Sequence, residues 1–164
     1  MSEKVKFETI PLRYSGIFDF QSLYTASKSW FGSVNAISFE SLYKDKVSGP
    51  SIREVEIKTL GFVKWDRYRK WNIEINFRTW DMKEIVVDGK NIVQGRIEIK
   101  IDGDIEYDYA DMYTKRAKSK LLKTLGQIFS RVMKNDKDFT IKSSCEKEMY
   151  RLQTQFKQIL KIPS

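Results

Sequence analysis

A chain of 164 residues that is 41% hydrophobic and 13% aromatic can bury a core of its own, which excludes disorder; with no repeat or Ser/Gly-rich linker, one domain over residues 1–164 is expected. The 30 Lys and Arg against 22 Asp and Glu leave a net charge of +8, which allows attraction to nucleic acid, acidic membrane or acidic protein without selecting among them. The absence of histidine and the single cysteine exclude imidazole bases, histidine-ligated zinc, Ser-His-Asp triads, thiolate clusters and internal disulfides.

In chain order, Val5 and Phe7 alternate, Pro11 interrupts, and Leu12 and Tyr14 resume, which predicts an edge strand with a bulge. Asp19 is placed to cap a helix in which Leu23, Tyr24, Trp30 and Phe31 recur at helical spacing, with Gly32 to end it. In "AISFESLY" the residues Ile37, Phe39, Ser41 and Tyr43 fall on one side of a strand. "KVSGPS" then breaks the chain before Val55, Ile57 and Thr59 begin another.

The stretch "WNIEINFRTW" puts Trp71, Ile73, Ile75, Phe77 and Thr79 on one face and Asn72, Glu74, Asn76 and Arg78 on the other, the period of a half-buried strand. Asp88-Gly89 supplies a tight turn, so "EIVV" and "NIVQ" are expected to form a hairpin. Ile97, Ile99, Ile101, Ile105, Tyr107 and Tyr109 continue the alternation, and Gly103 is expected to mark a bulge or bend.

After Tyr109 the period lengthens to that of a helix. Leu121, Leu125, Ile128, Phe129 and Val132 form one stripe while Arg116, Lys120, Lys123 and Arg131 face away, to about Lys134. "NDKD" reads as a loop, Ser143 and Glu146 as a capping box. Cys145, Met149, Leu152, Phe156 and Ile159 then stripe a final helix that stops near Pro163. The expected fold is α+β: a curved antiparallel sheet of five or six strands, one helix after the first strand, and two C-terminal amphipathic helices packed on one face.

The residues available for chemistry are few. Neither a GxxxxGK[ST] loop nor a GxGxxG fingerprint occurs, so no nucleotide cofactor is expected. Cys145 lies on an apolar helical stripe and reads as core. Asp102, Asp104, Glu106 and Asp108 are two apart on one strand, facing away from the isoleucines. A hard cation on that row would need ligands from another strand, so it reads as an acidic outer face partly neutralised by Arg78 or Lys58.

Two basic features stand beside it. "GFVKWDRYRKWNIEINF" interleaves Trp65, Tyr68 and Trp71 with Lys64, Arg67, Arg69 and Lys70, a mixture that suits bases and phosphates. Trp65 and Trp71 fit buried strand faces, however, leaving Arg67, Tyr68, Arg69 and Lys70 at an exposed hairpin tip. From Lys115 to Lys134 there are seven cations and no acid. Lys115, Arg116, Lys118 and Lys120 crowd the early turns, where the helix dipole disfavours them, so local stability does not account for their placement.

The segments "YSGIFDFQSLY", "YKDK", "FRTWDMKEIVVDGK" and "GRIEIKIDGDIEYDY" resemble a group of small uncharacterised archaeal proteins with the same order of elements over about the first 130 residues. The resemblance implies a standalone cytosolic domain and carries over no functional residue. The residues themselves predict a non-enzymatic binding or assembly module. It would meet a protein partner or a second copy through the acidic row and the basic helix, Lys115, Arg116, Lys120, Lys123 and Arg131. RNA or DNA binding by that helix and the Arg67–Lys70 tip is the first alternative, and a carrier with an aromatic-lined cavity for a small hydrophobic ligand is the second. With no run of 18 apolar residues and no signal-peptide centre, a cytoplasmic protein without membrane insertion is expected.

Overall fold

The computed structural model describes residues 3–110, 120–135 and 137–162. Two strands, β1 (Glu3–Lys6) and β2 (Ile10–Phe18), precede helix α1 (Phe20–Ser33). A meander follows, of β3 (Ile37–Gly49), β4 (Ile52–Lys64), β5 (Arg69–Val87) and β6 (Lys90–Tyr107), and then helices α2 (Lys120–Asn135) and α3 (Lys137–Ile159). The strands make one antiparallel sheet in the order β1-β6-β5-β4-β3, with β2 also paired to β6. The fold is therefore α+β, as the alternation of periods predicts.

β1 and β2 are one sheet edge in two pieces, pairing Asp104–Tyr107 and Val93–Ile101 of β6 respectively. The interruption falls at residues 7–9 and not at Pro11, which sits inside β2 opposite Lys100. An edge strand needs ladder bonds on one side only, so the missing N–H of proline is tolerated there. Within the gap the Phe7 N–H donates to the Gly103 carbonyl at 2.9 Å. A Cβ on Gly103 would lie 3.0 Å from Phe7 Cδ2 and 3.1 Å from Met149 Sδ, so this glycine makes room for a ring and a thioether. It marks no bulge, because β5 and β6 stay in register through Ile73 and Gly103. Their shift comes between Trp80 and Lys83, where Asp81 takes a left-handed φ of 54°.

The face carrying Trp71, Ile73, Ile75 and Phe77 of β5 and Ile97, Ile99, Ile101 and Ile105 of β6 is buried. α1 and α3 lie side by side over it. Trp30 Nε1 donates to the Glu148 carbonyl at 3.2 Å, and the Phe77 ring meets Phe20 and Phe156 edge-on at 6.0 and 5.7 Å. Cys145, Met149, Leu152 and Phe156 of α3 are buried as their spacing predicts, and burial pushes the Cys145 thiol up to about 12, with Glu146 and Glu148 adding to the shift.

The helix ends show where local signals misdirect. Asp19 does cap α1, accepting from the Ser22 N–H at 3.1 Å. The helix runs past Gly32 to a left-handed Asn35, φ 56°, and the Asn35 and Ala36 N–H groups return to the Gly32 and Phe31 carbonyls at 3.1 and 2.9 Å. α3 closes the same way through Lys161, φ 56°, with the Ile162 N–H on the Lys157 carbonyl at 2.9 Å. It begins at Lys137, so Ser143 and Glu146 lie inside the helix and form no cap. Tertiary burial of the stripe outweighs the capping signal.

α2 does not share the packing expected of it. It leans on α3, yet Leu121, Leu125, Ile128 and Val132 are 71%, 51%, 53% and 70% exposed.

Candidate interaction surfaces

The face of the sheet turned away from α1 and α3 is built by alternation: each strand that sends isoleucines inward must send its polar residues outward. Register then decides who meets whom. Lys70 Nζ lies 2.8 Å from Glu106, Lys58 Nζ 3.0 Å from Glu74, and Arg13 Nε 2.8 Å from Glu98, which Lys100 also approaches at 3.5 Å. The bond from Arg13, with the attraction of Lys100, outweighs burial and holds the Glu98 carboxyl below its ordinary range. Asp102 accepts from the Thr9 hydroxyl, while Asn72 Nδ2 donates to Asp104 at 2.9 Å and to Glu106 at 3.1 Å. Lys4 and Lys6 stand opposite Glu106 and Asp104 on the edge strand. Of the two cations expected to balance the acids, Lys58 serves Glu74 and Arg78 lies over the Trp80 ring at 5.0 Å.

Asp108 does not belong to this row. It follows the last residue of β6, takes a left-handed φ of 53°, is 6% exposed, and donates its N–H to the Tyr68 carbonyl at 2.6 Å. The alternation that would have aimed it outward ends with the strand. A second correction adds apolar surface. β3 is bulged between Glu40 and Leu42, so Ile37 and Phe39 pair with Phe62 and Leu60 on the outer face, while Tyr43 pairs with the inward Ile57. Between this apolar half and the acids runs an open groove of about 550 Å³, reaching from Lys4 and Lys6 to Phe39 and Phe62.

The tip between β4 and β5 is organised by Asp66, which no spacing rule singled out. Its carboxylate accepts from the N–H groups of Tyr68 and Arg69 at 2.7 and 2.6 Å, and from the Arg69 guanidinium at 2.9 and 2.7 Å. Burial works to raise the Asp66 pKa, but the Arg69 and Tyr68 bonds outweigh it and keep the carboxyl below its ordinary value. Lys70 is held by Glu106 and by the Tyr109 ring, 5.3 Å away. The Tyr68 ring lies 5.9 Å from that of Tyr107, and Trp65 stacks on Trp71 at 6.2 Å. Of the basic residues expected to grip phosphate here, Arg69 and Lys70 are engaged within the molecule. Arg67 is exposed and has no ion pair among the described residues.

α2 is the opposite case. It carries Lys120, Lys123, Arg131 and Lys134 and no acid. Lys120, Lys123 and Arg131 are exposed and pair with no described residue. Lys115 and Arg116 lie outside the described residues, as does the side chain of Phe129. Among the described residues the acidic row and the α2 cations do not pair, and the acids find their partners on neighbouring strands.

The layer between sheet and helices is filled by fully buried Phe31, Phe77 and Phe156. A surface opening of about 360 Å³ lies beside it, where Tyr24, Tyr43 and Met82 line the junction of α1 with β3 and β4. Among the described residues no cluster of three or more Cys, Asp or Glu is arranged to hold a metal, and no helix is long and apolar enough to cross a membrane. No protein-family model, curated protein or solved structure matches this chain.

Proposed function

We propose that this protein is a non-catalytic binding module in which the sheet with α1 and α3 is the scaffold and α2 is the docking element. The observation that carries this reading is the exposure of Leu121, Leu125, Ile128 and Val132, spaced four, three and four residues apart on one side of an acid-free helix. A single exposed leucine needs no explanation, but an aligned stripe of four is the surface a helix buries against something else. An isolated helix of this length is marginal in water, so a covering partner also strengthens the helix itself. The acidic strand row contributes to the scaffold, since its carboxylates are already bonded to Thr9, Asn72 and Lys70.

RNA or DNA is the second reading, favoured by Lys120, Lys123 and Arg131, which are exposed and have no ion pair among the described residues. Light scattering across salt, with absorbance at 260 nm on the same sample, separates self-association from nucleic-acid carriage.

The docking reading is tested by thiol labelling. Native Cys145, buried and with its pKa raised to about 12, should stay unreactive toward a maleimide at neutral pH while the fold is intact. A Leu125→Cys variant should label at the rate of a free thiol. Protection of that thiol in monomeric protein, to the degree seen for Cys145, would mean that the stripe packs on the fold and is no docking surface.

A further inference from the structure

We infer that the partner of α2 is an anionic phospholipid surface, an inference that rests on α2 being the docking element. Whatever covers this helix must satisfy three properties at once. It must take Leu121, Leu125, Ile128 and Val132 out of water. It must bring negative charge to Lys120, Lys123 and Arg131, which have no described partner. It must also work over a stripe of four side chains that rises only about 17 Å along the helix.

Each rival fails on one of these. Nucleic acid would neutralise the cations and leave the leucines and isoleucine wet. A second copy of α2 would cover the stripe and lay another basic helix alongside, from a stretch with seven cations and no acid between Lys115 and Lys134. A folded protein docking through a standard interface would engage roughly 20–30 residues a side, more than this helix presents, and one using a narrow apolar groove would have to line its rim with acids to meet the cations as well.

An anionic bilayer meets all three. The stripe sinks into the boundary between headgroups and acyl chains, where no minimum interface is required. At 3.6 residues per turn, Lys120 and Arg131 lie about a quarter turn from the stripe, so their stems run along the apolar surface and their charged ends reach the phosphates. Lys123 faces further away and adds the longer-range attraction of a basic segment to an acidic leaflet. The helix therefore lies on the membrane and does not span it, in keeping with its length and its four cations.

The test is flotation of the full chain with vesicles of phosphatidylcholine alone, or containing about 30% phosphatidylglycerol, at low salt where surface attraction is least screened. The protein should float with the anionic vesicles and at least about tenfold less with the neutral ones. Leu125→Asp together with Ile128→Asp should cost about tenfold or more, because the apolar anchor is gone. Lys120→Glu, Lys123→Glu and Arg131→Glu combined should cost at least as much, and those exposed positions, with no ion pair among the described residues, leave the core untouched. Absence of flotation with anionic vesicles overturns the inference, as does equal binding to both vesicle types or binding that survives charge reversal. If flotation fails while Leu125→Cys labels freely, lipid is the wrong partner and the docking element stands; if that thiol is protected, the docking element itself is wrong. Failed flotation with a salt-sensitive oligonucleotide complex that survives Leu125→Asp and Ile128→Asp assigns the helix to nucleic acid. Failed flotation with self-association lost in that variant assigns it to a second copy.

Discussion

The outer face of the sheet and the exposed side of α2 are both rich in charge and hold it in opposite states. On the sheet, antiparallel register sets Lys70 beside Glu106, Lys58 beside Glu74 and Arg13 beside Glu98, so cations and carboxylates are consumed in pairs. On α2 the residues within helical reach of the cations are other cations, apolar residues and uncharged Thr124, Gln127 and Asn135, and Lys120, Lys123 and Arg131 have no ion pair among the described residues. Composition therefore tells how much charge a surface carries, while its availability is decided by who stands across the ladder. The same division holds for apolar residues: Phe77 is 0% exposed on the sheet and Val132 is 70% exposed on the helix.

The sharpest way to break this comparison is to cut an apolar side chain from each region. Phe77→Ala should cost about 3–5 kcal/mol in urea unfolding, because its ring is enclosed by Phe20, Tyr24 and Phe156. Val132→Ala should stay within about 0.5 kcal/mol. Similar losses at the two positions would place α2 inside the cooperative core.

Reversing a cation in each region is a finer probe. Lys70→Glu sets two carboxylates face to face at Glu106, at a position where both side chains are mostly covered, and should cost about 1 kcal/mol at low salt and less at high salt. Lys123→Glu should change unfolding by no more than about 0.5 kcal/mol, since it is exposed and has no ion pair among the described residues.

The smallest effect separates the two regions by pH. Asp66 and Glu98 are held below their ordinary values in the folded chain, so the stability they contribute is fully present above about pH 5 and drains away as pH falls through their folded values. Glu98→Gln should flatten that acid limb of the stability curve, and Lys120→Gln should leave it unchanged, since that exposed side chain pairs with no described carboxylate. An acid limb indifferent to Glu98→Gln would mean that the Arg13 pair contributes nothing to folding.

The inner layer was legible in the sequence because two-residue alternation at Trp71–Thr79 and Ile97–Ile105 admits one burial pattern, and Asp88-Gly89 admits one turn. What alternation cannot carry is its own interruptions. The bulge at Ser41 reverses the facing of Tyr43 relative to Phe39, and the end of β6 withdraws Asp108 from the acidic row, both through backbone geometry that no side-chain spacing announces. The partners of the acids were equally hidden, because Thr9 and Asn72 reach Asp102 and Asp104 only once register joins residues far apart in the chain. For α2 the helix and its stripe could be read from spacing alone. Whether the stripe was buried could not, because periodicity reports a face without reporting a neighbour.

The divided edge of the sheet sets an order of assembly. β3 to β6 follow one another as hairpins, so each strand can find its partner as soon as the next turn is made, whereas Glu3 must wait for Tyr107 and Phe18 for Val93. During synthesis the strands made first are thus the ones placed last, and their docking closes a loop of most of the sheet's length, the slow kind of contact in folding. Until then β6 exposes a bare strand edge bearing Ile97, Ile99 and Ile101, and this interval, more than any property of the finished fold, is when the nascent chain is most open to pairing with another copy of itself.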